Sequence, residues 1–330
     1  MKIGVIGAGN WGKNIVRTLY GLNGLAAVAE TSTDIRAGLE TEYPSLQVYP
    51  DYQSLLGTDI PAVAIATPVI THFEVAKAAL LAGKDVFVEK PLTLASAEAQ
   101  DLVRLAEKKQ RILMVGHLLL YQPAVQWVKS YIASGALGKL HSLHQERLNL
   151  GRARKVENAL WSLGVHDVAV LLHLVGQAPE GLEVSGQCVL QPGIEDDVYL
   201  HLNFPGGVQA HLHNSWLWPE KHRRLTVVGS EGMLVYDEAD QTVTLHRKGI
   251  NPDLSNRDGG AEIAFRGDGE PLALELKHFL DCVAGRLTPL SDGRSGLAVV
   301  RVLEEATKGL NSPPGPLSLD KERGWPIGRG

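Results

Sequence analysis

Residues 2–12, KIGVIGAGNWG, decide the reading of the fold. Four apolar residues, Ile3 to Ile6, form a strand. Gly7, Gly9 and Gly12 follow in G-x-G-x-x-G spacing, and Trp11, Ile15, Val16 and Leu19 then recur with helical period. A strand before and a helix after give this glycine pattern its meaning. Gly7 permits the tight turn, Gly9 lets a pyrophosphate approach the backbone, and Gly12 packs helix on strand. The helix N-terminus offers free N–H groups to the phosphates.

The next strand, Leu25 to Glu30, ends in an acid 18 residues past Gly12. That spacing suits a carboxylate on the adenosine ribose. A carboxylate there repels a 2′-phosphate, so NAD is expected over NADP; Thr31, Ser32 and Thr33 beside it soften that discrimination. The alternation continues through the strand AVAIAT (62–67), closed by Thr67-Pro68, and the helix HFEVAKAALLAG, stopped at Gly83. DVFVEKP (85–91) is another strand, Ser96 is expected to cap the helix AEAQDLVRLAEKK, and RILMVGH (111–117) is one more strand. Such alternation predicts a doubly wound parallel sheet. Ligands bind at the carboxyl ends of its strands. Lys90 stands at such an end, and a lysine there costs desolvation unless it faces a site or a partner. It is therefore expected to face the cofactor cleft.

The 330 residues suit about two domains. With 44% hydrophobic residues, each can bury a core. The net charge of -5 is spread over interleaved acids and bases, which argues against nucleic acid and against a membrane surface. The apolar run at the start is too short and glycine-broken for a signal or spanning segment. Cys188 and Cys282 stand far apart outside any metal-spaced cluster, so a reduced, cytoplasmic setting is expected. The tail NSPPGPLSLDKERGWPIGRG (311–330) is expected to be irregular.

GVIGAGNWG (4–12), ATPVITHFEVAKAALLAGKDVFVEKPLTL (66–94) and VGHLLLYQPAV (115–125), taken in order, resemble the Gfo/Idh/MocA oxidoreductases, whose hallmark is Glu89-Lys90-Pro91. The resemblance implies an NAD-binding Rossmann domain over 1–120. It also implies a substrate and oligomerisation α/β domain over 121–330, built on a large, mostly antiparallel open sheet. It implies a sugar-like or polyol substrate and an active-site lysine. It places Asn10, Trp11, Thr67, Pro68, His72, Glu89, Lys90 and Gln122 with the glycines and Glu30 around the cofactor.

After residue 120 the pattern changes. A helix opens at Pro123 and stops near Gly135. Strands follow in LHSLHQERLNL (140–150), GLEVSGQCVL, DVYLHLNF, VQAHLHNSW, RLTVVGS, GMLVYDE and TVTLHRK, with FPGG and GSEG as turns. Apolar residues alternate with Tyr199, His201, Asn203, Gln209, His211 and His213, so one face packs on helices and the other is polar. No carboxylate or cysteine accompanies His211 and His213 in sequence, so no metal is expected. The polar face is expected to join a homodimer or homotetramer.

His166, in ENALWSLGVHDVAVLLHLVG (157–176), is the other candidate for chemistry, because histidine accepts protons near neutral pH. The resemblance matches it to a histidine beside the cofactor-facing lysine, in a D-x-G-x-H type motif. Ser162 stands where that motif carries an acid, which moves proton transfer onto His166. Asp167 is expected to point elsewhere, and His173 to be a packing or surface residue. QERLNLGRARKVENALW (145–161) gathers Arg147, Asn149, Arg152, Arg154 and Lys155 ahead of Trp161. This is either a solvated basic loop or a clamp for a charged substrate, since arginine grips phosphate with a bidentate fork. This stretch after GHLLLY resembles the branch of nucleotide-sugar dehydrogenases acting at C3 of UDP-N-acetylglucosamine or its uronic acid, although Gln122 replaces a histidine frequent there. The expected activity is NAD-dependent oxidation of a nucleotide-sugar C3 hydroxyl, for later amination. Arg147, Asn149, Arg152, Trp161 and His166 are expected on the substrate, Lys90 and His166 in the chemistry. A 3-ketosugar reductase, an inositol or simple-sugar dehydrogenase, and a non-catalytic dinucleotide-binding regulator are the rival readings.

Overall fold

The computed structural model describes residues 1–311, so the expectation of an irregular tail lies outside the described residues. In the first part, strands and helices alternate: β1 (Ile3–Ile6), α1 (Gly12–Gly21), β2 (Leu25–Ala29), α2 (Thr33–Glu42), β3 (Gln47–Tyr49), α3 (Tyr52–Leu56), β4 (Ala62–Ile65), α4 (His72–Leu81), β5 (Asp85–Glu89), α5 (Ser96–Lys109) and β6 (Leu113–Gly116). The six strands pair in parallel in the order β3-β2-β1-β4-β5-β6. Every residue of β1, β4, β5 and β6 is buried, because helices cover both faces. The chain reverses direction across the sheet between β1 and β4, and this crevice is where a doubly wound sheet binds its ligand.

The second part contains α6 (Pro123–Ala133), β7 (Leu140–Leu150), α7 (Val165–Val175), β8 (Gly181–Gln187), β9 (Asp197–Asn203), β10 (Gln209–Ser215), β11 (Leu217–Gly229), β12 (Met233–Asp237), β13 (Thr242–Ile250), β14 (Asn256–Arg266), α8 (Pro271–Gly285) and α9 (Gly293–Asn311). Its eight strands run in the order β14-β13-β12-β11-β7-β10-β9-β8, antiparallel except for β7 beside β10. One face is apolar and buried through Leu143, Leu200, Leu212, Val227 and Leu234. The other carries His144, His211 and His201 side by side on one rung.

Two features depart from the sequence reading. Ser96 is the first residue of α5 and Ala95 its cap; the Ser96 hydroxyl donates instead to Glu304 of α9 at 2.6 Å. The last helices also return to the first domain. Arg301 bonds Gln100, Arg294 bonds Glu107, and Arg286 pairs with Asp85. Residues 271–311 therefore brace the parallel sheet as well as following the second one.

Candidate active site

The glycine loop is built as its spacing predicts, but each glycine has a different reason. Gly7 has φ +91°, which only glycine adopts freely. A Cβ on Gly12 would lie 2.1 Å from the Gly7 carbonyl oxygen, so the helix start could not close on the strand. A Cβ on Gly9 meets nothing within 4 Å. The protein itself does not need glycine there; the open space beside the helix start suits a closely approaching phosphate. Asn10 is exposed on the loop. Glu30 stands beside it, nearly buried, accepting from the Ala8 amide at 2.7 Å and the Ser32 amide at 2.9 Å.

Trp11 ties this loop to the Glu-Lys-Pro turn: its indole N–H donates to Glu89 at 2.6 Å. Burial pushes the Glu89 carboxyl up to about 7, with the Trp11 hydrogen bond opposing the shift. His72 secures the next step. Its Nδ1 lies 2.8 Å from the Pro91 carbonyl oxygen and its Nε2 3.0 Å from that of Thr67, so α4 holds the ends of β4 and β5 together.

Lys90 points from this clamp across the cleft and donates to the Ser162 carbonyl at 3.2 Å. Leu160–Gly164 is one π-helical turn running into α7, a distortion common at functional sites. Ser162 thus acts through its backbone, where the resemblance placed a side-chain acid. Four residues on, His166 shares a cleft of about 410 Å³ with Lys90. Its Nδ1 is buried and has no partner among the described residues. Burial first, and then the charges of Lys90 and Arg147, hold the imidazole well below its ordinary value. Burial also lowers Lys90, against the opposing pull of Glu89 and Glu157. The histidine is therefore neutral at neutral pH, beside a lysine whose charge burial disfavours.

Trp11, Thr67, His72, Glu89, Trp161 and Arg154 line this same cleft. The Trp161 indole N–H donates to Thr307 at 2.9 Å. Other expected residues lie elsewhere. Arg147 is no substrate clamp: it is 2% exposed and pairs with Asp167 and Glu238, both at 2.8 Å. Burial opposes its charge, but those two carboxylates raise its pKa further. Asp167 does not line the cleft, as its position on the helix led one to expect; it is fully buried and also accepts from Asn214. Gln122 is buried and accepts from the Tyr236 hydroxyl at 2.6 Å, away from the cleft lining. Asn149, Arg152 and Pro68 do not line the cleft either, and Arg152 and Lys155 are solvated. The basic loop therefore contributes one cation, Arg154. Sequence reasoning passed over Glu157, which lines the cleft and acts on Lys90. It also passed over His117, whose one signal was a polar residue at the carboxyl end of a parallel strand.

Two family descriptions match the chain: "Oxidoreductase family, NAD-binding Rossmann fold" over residues 1–117 and "GFO/IDH/MocA C-terminal domain" over 125–235. An uncharacterized oxidoreductase of Escherichia coli K12 is 31% identical over 247 residues, covering 71% of this chain and 70% of its own. The chain belongs to the GFO/IDH/MocA oxidoreductase family. It is similar to UDP-N-acetylglucosamine 3-dehydrogenase of Acidithiobacillus ferrooxidans, 28% identical over 317 residues, covering 93% of this chain and 98% of that protein. The solved structure of that enzyme superposes with a TM-score of 0.82 at 27% identity, over 94% of this chain and 97% of that one. The scyllo-inositol 2-dehydrogenase of Bacillus subtilis is 27% identical over 293 residues, 83% of this chain and 82% of that protein.

Membership makes the chain an NAD-dependent oxidoreductase acting on CH–OH groups, with NAD on the parallel sheet. The Gly7 turn, the space at Gly9 and the Glu30 carboxylate fit that cofactor. No described helix is long and apolar enough to cross a membrane.

Proposed function

We propose that this GFO/IDH/MocA enzyme oxidises the C3 hydroxyl of UDP-N-acetylglucosamine to the 3-keto sugar. The observation that carries the reading is similarity to a UDP-N-acetylglucosamine 3-dehydrogenase over nearly the whole of both chains. Family members acting on inositol retain less of that span.

NAD, when bound, supplies the hydride acceptor. The chain's residues handle the proton and the charge. His166 is neutral, and its Nε2 is the ring nitrogen reachable from the cleft, so it takes the hydroxyl proton. Lys90, steered by the Ser162 carbonyl, donates to the same oxygen and stabilises the negative charge developing there. Arg154 is the cation at hand for the diphosphate, a group that free sugars and inositol lack. The histidine-bearing sheet face is the surface proposed to join copies into a homodimer or homotetramer.

The test is NADH formation on mixing protein, NAD and UDP-N-acetylglucosamine, with a pyridoxal-phosphate aminotransferase and glutamate trapping the 3-keto product. A 3-amino nucleotide sugar in the mass spectrum is the expected result. Efficient NAD reduction by inositol or glucose with no such product would overturn the substrate while leaving the dehydrogenase. Preference for the uronic acid of the same nucleotide sugar would relocate the specificity to its extra carboxylate.

A further inference from the structure

A second cavity, of about 990 Å³, lies behind the catalytic cleft. Two elements separate the two spaces. The segment after β6 contributes Gly116 and Leu118 to the cleft but His117 and Leu120 to the cavity. Helix α7 contributes His166 to the cleft but Ala169, Leu172 and His173 to the cavity. Glu89 and Gly116 are register partners on β5 and β6, so His117 follows the strand end beside the one that carries Lys90.

His117 is 2% exposed, and neither ring nitrogen has a partner among the described residues. Buried polar atoms are rarely left bare, and a polar gap with several orphaned atoms is where ordered water sits. His166 Nδ1 is a third orphan, on the side of the ring closed to the cleft. The reaction produces one proton on His166, at a site that bound substrate and cofactor would cover. The three orphaned nitrogens mark a way out.

We infer that His117 relays this proton from His166 to water in the second cavity. This rests on the reading of His166 as the base. The hydroxyl proton binds His166 Nε2, and the Nδ1 proton passes through water to one ring nitrogen of His117. The other His117 nitrogen releases its own proton to cavity water. The hydride and its two electrons go to NAD, so one proton enters the chain and one leaves it. Burial, with the Lys90 charge adding to it, takes His117 down to about 3, so the ring is neutral and the relay requires it to accept at one nitrogen as it releases at the other. His117 acts through His166 and touches no reacting atom.

The test compares His117→Leu, His117→Gln and Leu172→Trp, the last adding bulk to the cavity from α7 while keeping His117. His117→Leu is expected to lower kcat by about tenfold or more, the scale of a lost proton-transfer group. KM and NAD affinity should stay within about twofold. Free imidazole should restore part of the loss, and Leu172→Trp should slow turnover in the same direction. An unchanged kcat in His117→Leu, or a loss that imidazole does not touch, overturns the relay. A readout independent of turnover is the ¹⁵N spectrum of histidine-labelled wild type: ring N–H exchange of His117 with water within seconds supports the relay, and protection for hours overturns it. Failure of the underlying reading looks different. If His166→Asn keeps full turnover, the base assignment itself falls. If His166→Asn is inactive while His117→Leu is normal, the relay alone falls.

Discussion

Helix α7 carries two adjacent residues with opposite fates. His166 faces the cleft with a buried, unpartnered nitrogen, in the company of a desolvated lysine. Asp167, the next residue, is fully buried and spends both oxygens on Arg147 and Asn214. Arg147 in turn directs its nitrogens to Asp167 and Glu238. Both clusters collect charge in buried surroundings, where an unpaired polar group costs free energy. Matched charges hold a structure in place. Unmatched ones carry a cost that the fold must offset elsewhere, and they are found where chemistry needs a free lone pair or a free proton.

That contrast can be broken by removing one member from each side. Arg147→Ala strands the Asp167 carboxylate, and unfolding in urea should show a loss of about 3–5 kcal/mol. A loss below about 1 kcal/mol would mean that the ion pairs add nothing to the fold. Lys90→Ala should do the reverse: a stability close to the native protein's, with kcat lower by about 10²–10³, the scale of a removed preorganised charge stabiliser. Near-normal turnover would take Lys90 out of the mechanism.

The pH dependence sharpens the same comparison. Histidine in the sequence suggests an ionisation near neutrality. The structure depresses that of His166 well below 6.5. The base works when neutral, so kcat/KM should be flat around pH 7 and fall only as acid protonates it. Lys90 works when charged, and its lowered pKa should bring the basic limb below 10.5. His166→Asn should erase the acid limb; a limb surviving that change would belong to another group.

The smallest effect concerns Glu275 on α8, buried with neither oxygen partnered among the described residues. Burial first, and then Glu89, raises its pKa well above 4.5. Folding therefore favours the protonated carboxyl, so this residue's contribution is intact below its unfolded pKa and is lost as pH rises. Glu275→Gln should match the native protein near pH 4 and exceed it by about 1–3 kcal/mol near pH 8, read from urea midpoints. Equal midpoints at both values would mean that the carboxyl has a partner in solution.

The first domain was legible because its signals are local. The loop at 7–12, the apolar strands and Lys90 at a strand end each follow from neighbouring residues and a parallel sheet's one chemical edge. The strands of the second domain were legible by their period of two, although the return of α8 and α9 onto the first domain was not. The site was legible in part. Lys90 and His166 lie 76 residues apart in sequence and meet across one cleft, as the resemblance led one to expect.

The arginines show where sequence stops. Arg147, Arg152 and Arg154 look alike as a basic run, yet one is buried in ion pairs, one is solvated, and one lines the cleft. Alternation along β7 turns residue 147 inward, but its partners come from α7 and the segment after β12, far along the chain. By itself, the sequence determined the fold class and the cofactor domain, because periodicity and glycine spacing are properties of neighbours; Lys90 and His166 were its candidates for the chemistry, the histidine through the resemblance. Only the tertiary structure decided which charges are matched and which are left free, because pairing depends on distances between segments that meet only when the chain is folded.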